Sequence, residues 1–339
     1  MAAVGGNNIV WYTYTGAIGE VIPWNATHVI VEARIILRDA FREHENIVEV
    51  VCHGDVEKIE QMAFYYCPNL RRVIMPGVKI VERGAFLCCH ALTDVECGKL
   101  EMIGASAFCQ CRSLRSINLL SVRIVERHAF ENCRELVHVK FGNKMERIDR
   151  KTFYKCSSIE RITIPLKDGI ITVDDTFMEC DNLRHVDLIK GELHETIAAL
   201  HSEDWINDMN QEIDSINQIL PNSRAGISIQ NDEKEKGQAV REWIRSVLGK
   251  MVLYQAEHQL VMNEASSTLH HALPQDIVNR SVLSFLKLPS YTFELGDDED
   301  DDNDDDNDDD MPWEEDEEVD YDDEDYSILR EEDDELEGY

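Results

Sequence analysis

Between residues 36 and 188 the apolar positions of this chain fall into columns. Phenylalanines stand at Phe41, Phe64, Phe86, Phe108, Phe130, Phe153 and Phe177, separated by 23, 22, 22, 22, 23 and 24 residues. Six residues after each comes Ile47, Leu70, Leu92, Leu114, Leu136, Ile159 or Leu183. Nine after comes Val50, Val73, Val95, Ile117, Val139, Ile162 or Val186, and eleven after comes Cys52, Met75, Cys97, Leu119, Phe141, Ile164 or Leu188. A further aliphatic precedes each phenylalanine: Ile36, Ile59, Val81, Ile103, Val125, Ile148 or Val173. The last two of the later columns alternate with residues that point the other way, which is the period of a strand with opposite faces. One copy cannot enclose a core, but stacked copies set like on like and build a continuous interior. The period predicts a solenoid with one parallel strand per copy. Turn residues close the copies at Pro76-Gly77, Gly98, Gly142 and Asp168-Gly169.

The pattern differs on either side. Residues 1–34 read as N-terminal strands that cap the solenoid, with one or two strands in Ile9–Ile22 and another at His28–Val31; 35–190 hold about seven repeats. After Lys190-Gly191 the apolar spacing changes to three and four. Leu193, Ile197, Leu200, Trp205, Met209, Ile213, Ile216 and Leu220 predict one amphipathic helix. Val240, Ile244, Val247, Met251, Tyr254, Val261, Ala265 and Leu269 predict a second, and a third starts at Pro274. Residues 191–295 are thus expected to be an α-helical hairpin, either a cap or a coiled-coil type partner helix pair. Residues 296–339 are expected to be disordered, because dense like charge and few apolar residues leave nothing to bury.

Three residues after the phenylalanine a cysteine recurs: Cys67, Cys89, Cys111, Cys133, Cys156 and Cys180, with His44 in the first copy. The composite I-x-x-x-[AT]-F-x-x-C-x-x-L-x-x-[IV] resembles the BspA-type leucine-rich repeat, and the whole run is similar to the large sets of such proteins in diatoms and other protists. The resemblance implies an α/β chain: a curved right-handed solenoid with the parallel sheet on its concave side, no enzyme activity, and protein binding. Val173–Phe177 is one residue short of the pattern and Leu166–Ile171 adds residues, so the last turn is expected to be distorted.

Composition narrows the chemistry. The net charge of −35 is uneven: residues 297–339 hold 28 acidic residues and one Arg, giving −27 and leaving −8 for the rest. That disfavours nucleic acid as a partner and makes the tail a candidate contact for basic proteins. Met1–Asn8 does not read as a signal peptide and no apolar run is long enough to span a membrane. The free thiols fit a reducing compartment, hence a cytoplasmic or nuclear chain whose cysteines are structural. No phosphate loop, nucleophile elbow, zinc helix or dinucleotide fingerprint occurs, so no catalytic, cofactor or metal residue is assigned. Leu273–Pro289 is similar to the opening of an F-box, which would make the chain a ubiquitin-ligase adaptor; this is the alternative reading. The main expectation is a protein-interaction scaffold that binds on the outward residues of the strand face. Those residues are Arg72, Ile74, Asp94, Glu96, Asn118, His138, Lys140, Arg161 and His185, the last four with a mildly basic cast.

Overall fold

A computed structural model describes residues 9–189, 192–200, 202–220 and 235–278. The phenylalanine column is one uninterrupted stack. Neighbouring rings from Phe41 to Phe177 lie 4.8 to 5.8 Å apart between centroids and within 9° of parallel. Tyr14 ends the stack, tilted 59° on Phe41. Each ring is buried, and burial of a side chain of this size contributes roughly 1.5–3 kcal/mol.

The backbone of each turn is bonded to the next. Phe64 N–H donates to the Ala85 carbonyl at 2.7 Å and Phe86 N–H to the Ala107 carbonyl at 2.8 Å, and the pattern recurs along the column. The residues two before and two after the phenylalanine adopt left-handed backbone, as at Met62 and Tyr66 (φ 54° and 51°) or His128 and Asn132 (φ 58° and 60°). These paired reversals bring the chain around the ring. Most of the positions are not glycine, so the stacked carbonyls must hold a conformation that costs an L-residue about 1–2 kcal/mol. Where adjacent turns touch, glycine is required: a Cβ on Gly77 would lie 2.0 Å from the Gly54 carbonyl oxygen.

Two parallel ladders line the solenoid. The long-strand ladder runs Trp11–Tyr14 (β1), His28–Val31 (β2), Glu49–Cys52, Arg72–Met75, Asp94–Cys97 and Ser116–Ile117. A second segment of the same face holds His138–Lys140, Arg161–Ile164 and His185–Leu188. The register pairs Val50 with Val73, Val73 with Val95 and Ile162 with Val186, as the columns require. Between the two segments the strand pairing is reduced to the Leu119–Phe141 bridge. There the Asn118 side chain accepts a hydrogen bond from Leu120 N–H at 3.1 Å and ends its strand after two residues.

The second ladder is built of two-residue strands at Ile35–Ile36, Lys58–Ile59, Ile80–Val81, Met102–Ile103, Ile124–Val125 and Arg147–Ile148. The aliphatic before the phenylalanine is therefore a strand residue, which the sequence pattern did not distinguish from a packing position. Its last member differs from expectation. Ile171, not Val173, continues the column: it bridges Ile148 and is buried, whereas Val173 is exposed at 36%. The extra residues of Leu166–Ile171 shift the register, and a 3₁₀ turn at Asp174–Phe177 replaces the strand.

The helical region also departs from one long first helix. It is split into α1 (Glu192–Ala198) and α2 (Glu203–Ile219), because Ser202 before α2 is extended (φ −107°, ψ 125°). The second is α3 (Glu235–His270). The helices complete the solenoid core: Met209, Ile216, Val240, Trp243, Ile244, Val247, Leu248 and Met251 join the same buried cluster as the phenylalanines. Gly237 permits this, since a Cβ there would stand 2.0 Å from the Asp174 carbonyl oxygen. Arg241 binds the Asp174 carboxylate at 3.1 Å, and Trp243 Nε1 donates to the Glu212 carbonyl at 2.9 Å. Beyond Tyr254, which still packs on the core, the stripe of α3 leaves it, with Val261 exposed and a small second cluster of Met262, Leu269 and Val278. Of the expected third helix only Gln275–Ile277 lies among the described residues; most of the F-box-like segment and the whole acidic tail lie outside them.

Candidate functional site: the outward face of the long strands

Alternation sends two rows of side chains to solvent from the long-strand ladder. One row reads Trp11, His28, Glu49, Arg72, Asp94, Ser116, and then His138, Arg161, His185 in the second segment. The other reads Thr13, Ile30, Val51, Ile74, Glu96, and then Lys140, Thr163, Asp187. Eight of the nine residues expected from the sequence lie in these rows; Asn118 stands just past the end of its two-residue strand. The face also carries four that were not expected, Trp11, Thr13, His28 and Ile30, because the first two strands join the same sheet. The available signal was weak: His28–Val31 alternates 21 residues before Glu49–Cys52, but no phenylalanine or cysteine precedes it in the chain.

The face is not uniform. Toward its N-terminal end Ile30, Val51 and Ile74 lie side by side at pairing positions, each half-buried. Adjacent strands are ~4.8 Å apart, so these three side chains make a continuous aliphatic strip. Trp11 packs on the His28 ring beside it, with centroids 4.8 Å apart. Next to the strip, Arg72 bridges the Glu49 carboxylate at 3.4 Å and the Glu96 carboxylate. Those carboxylates, Glu96 above all, raise the Arg72 pKa. His28 Nε2 lies 3.7 Å from Glu49.

The later turns are less basic than their residue types suggest. Arg161 forms an ion pair with Asp187 across the strands, so its charge is matched on the face itself. That leaves Lys140, His138 and His185 as the polar surface of this end, all exposed. Depressions interrupt the face. One of ≈ 470 Å³ lies over Ile74, Val95, Glu96, Ile117 and Asn118, where the first segment ends. Another, of ≈ 590 Å³, lies between Lys140, Thr163 and Asp187 and the helix residues His194, Ile213, Asp214 and Asn217. Asn217 Oδ1 accepts the Val186 N–H at 3.0 Å and so caps the last strand.

The cysteine column is buried in the core. Each thiol donates to the carbonyl of the phenylalanine one turn earlier: Cys67 to Phe41, Cys89 to Phe64, Cys111 to Phe86, Cys133 to Phe108, Cys156 to Phe130 and Cys180 to Phe153, at 3.0–3.2 Å. In the first copy His44 Nε2 contacts the Pro23 carbonyl oxygen at 3.0 Å in the same manner. Burial pushes the thiols of Cys89, Cys111, Cys133, Cys156 and Cys180 up, Cys180 to about 12, and leaves them protonated and unreactive. All ten cysteines are free. Among the described residues no group of His, Cys, Asp and Glu has the arrangement of a metal site, and no helix is long and apolar enough to cross a membrane.

Residues 27–123 and 101–200 match the sequence model of the BspA type leucine-rich repeat region, in six copies. Among solved structures, the chain is similar to a Treponema pallidum leucine-rich repeat protein at 26% identity, covering 47% of this chain and 68% of that one with a TM-score of 0.37. A leucine-rich repeat protein from Eubacterium ventriosum matches at 21% identity, covering 39% of this chain and 35% of that one with a TM-score of 0.32. One from Bacteroides ovatus matches at 19%, covering 48% and 61%, with a TM-score of 0.29. No curated protein matches.

Proposed function

The chain belongs to the BspA-type leucine-rich repeat family, whose repeats fit a protein-interaction scaffold in general, and from this we propose that it is a non-enzymatic scaffold holding a protein partner on the outward face of its long strands. The observation that carries this reading is the Ile30–Val51–Ile74 strip. At these positions a strand with one solvated face would carry polar residues. Three neighbouring aliphatics instead offer an apolar contact line, rimmed by the Glu49–Arg72–Glu96 ion pairs. An apolar centre with a charged rim is how protein interfaces divide affinity from specificity. The partner surface is therefore apolar at its centre with polar groups around it. We place the chain in a reducing compartment, cytoplasmic or nuclear, since ten free thiols, most of them enclosed, suit such a setting.

The test is affinity capture from the native cell, followed by a binding isotherm with the recovered partner. Ile74→Glu and Ile30→Glu should each weaken binding at least ~10-fold, about 1.4 kcal/mol. Lys99→Glu, an exposed position outside the strand ladders, should leave it unchanged. Equal affinity for all three variants would sink the assignment of this face. No observation among the described residues favours the adaptor or acidic-tail readings.

A further inference from the structure

We propose that the free edge of β1 is a self-association surface, where a second copy of this chain docks by antiparallel pairing of the two β1 strands. The backbone sets out the argument. The Val10 carbonyl accepts from Thr27 and His28 N–H at 3.0 and 3.1 Å, and the Tyr14 carbonyl accepts from Glu32 N–H at 3.0 Å. The even-numbered residues thus face β2. In a strand the amide groups of successive residues point to opposite sides, so Trp11 and Thr13 direct their N–H and C=O groups to the open side. Among the described residues no hydrogen bond reaches those groups. The edge closes just beyond them, where the Glu20 carboxylate accepts from the Thr15 N–H at 3.0 Å.

An unpaired edge is a template for another strand, and proteins that must stay apart protect it with lysine, proline or a bulge. Ile9–Tyr14 reads Ile-Val-Trp-Tyr-Thr-Tyr and carries none of these. The same terminal turn exposes Trp11 at 52%, Ile18 at 101%, Val21 at 82% and Trp24 at 79%. Such an apolar terminus is unlike the far end of the solenoid, where α2 and α3 cover the core.

That asymmetry selects the occupant. At the far edge Asn217 caps Val186 and α2 packs on the last strand, so head-to-tail stacking has no second edge to meet. Only a head-to-head contact uses the open edge twice and leaves nothing unpaired, which is an isologous, closed dimer. A dyad beside Tyr12 sets Trp11 of each copy opposite Thr13 of the other and satisfies the outward amides of both residues in both copies. The exposed apolar side chains of the two terminal turns add the area that a few hydrogen bonds alone do not supply. The long-strand faces of the two copies then become one sheet, with the helical ends outermost.

The experiment is sedimentation equilibrium on the full chain in reductant, from about 1 to about 100 µM, with the dissociation constant read from the mass average. Wild type should pass from monomer to dimer and no further. Thr13→Lys places like charges across the dyad on an exposed position and should raise the dissociation constant at least ~10-fold. Thr13→Pro removes an outward N–H and should do the same. A far-UV and thermal scan of each variant establishes that the solenoid is still folded; Thr13→Lys decides if the proline variant fails to fold. Ser116→Lys, exposed on the strand at the opposite end of the same sheet, should leave the dimer intact. A wild-type chain that is monomeric throughout, one that grows past the dimer, or a dimer that survives in folded Thr13→Lys overturns the proposal. The strip at Ile30–Ile74 is read by a different assay and stands or falls separately.

Discussion

Raising the pH from about 7.5 to about 9.5 in the presence of reductant perturbs the thiol column without changing a residue. Cys89, Cys111, Cys133, Cys156 and Cys180 are enclosed, and burial raises the pKa of each. In the unfolded chain a thiol ionises near about 8.5. The folded pKa lies above the unfolded one, so the stabilisation is complete below about 8.5 and is lost as pH rises, since only the unfolded chain can release the proton. One pH unit above that value each thiol costs about 1.4 kcal/mol, and the five together cost about 7 kcal/mol. That is comparable to the whole stability of a typical domain, roughly 5–15 kcal/mol. Lys236 works in the opposite sense: burial lowers its pKa, so its contribution improves as pH rises, and a Lys236→Met background removes it. The assay is urea unfolding followed by far-UV circular dichroism at the two pH values. The midpoint should drop steeply, and Cys111→Ala should restore about 1.4 kcal/mol of the stability lost. A midpoint that does not move, or a Cys111→Ala variant with an unaltered pH dependence, would refute the argument that these thiols are enclosed and protonated.

Three further expectations follow from the packing. Phe108→Ala, which empties a site between Phe86 and Phe130 at 5.1 and 5.4 Å, should cost ~3–5 kcal/mol in chemical denaturation; Ser116→Ala, exposed on the strand face, should cost under ~0.5 kcal/mol, and equal losses would contradict the assigned register. Gly237→Ala drives a methyl into the Asp174 carbonyl at 2.0 Å, so α3 should lift from the last turn, with a loss of ~2 kcal/mol or more and faster amide exchange at Val186. Iodoacetamide on the native protein should label Cys88, which is half-buried, before any other cysteine; peptide mapping that finds Cys111 or Cys133 labelled as fast would show that the core opens readily.

The period of the chain determined the repeat architecture. Phenylalanine, aliphatic and cysteine columns recur at fixed offsets, and a stack of turns is the arrangement that buries all of them at once; the strand pairings at Val50–Val73–Val95 and Arg161–His185 follow from those offsets. Spacing also marked the residues that face outward, because a strand alternates. It did not reveal that β1 and β2 belong to the same sheet, for their turn lacks the phenylalanine and ends the stack with Tyr14 instead. Nor did it give the charge of the face. Arg161 and Asp187 are 26 residues apart and neutralise each other only because adjacent turns bring them together. The register shift from Val173 to Ile171 arose from where the inserted residues could pack, not from the phrase itself. The apolar stripes of α2 and α3 were visible as stripes, but a stripe records only that a face will be covered. What covers it depends on contacts between distant parts of the chain, here Gly237 against Asp174 and Asn217 against Val186. Local periodicity fixes which side of an element is apolar; the shape of the open solenoid end fixes which element it meets.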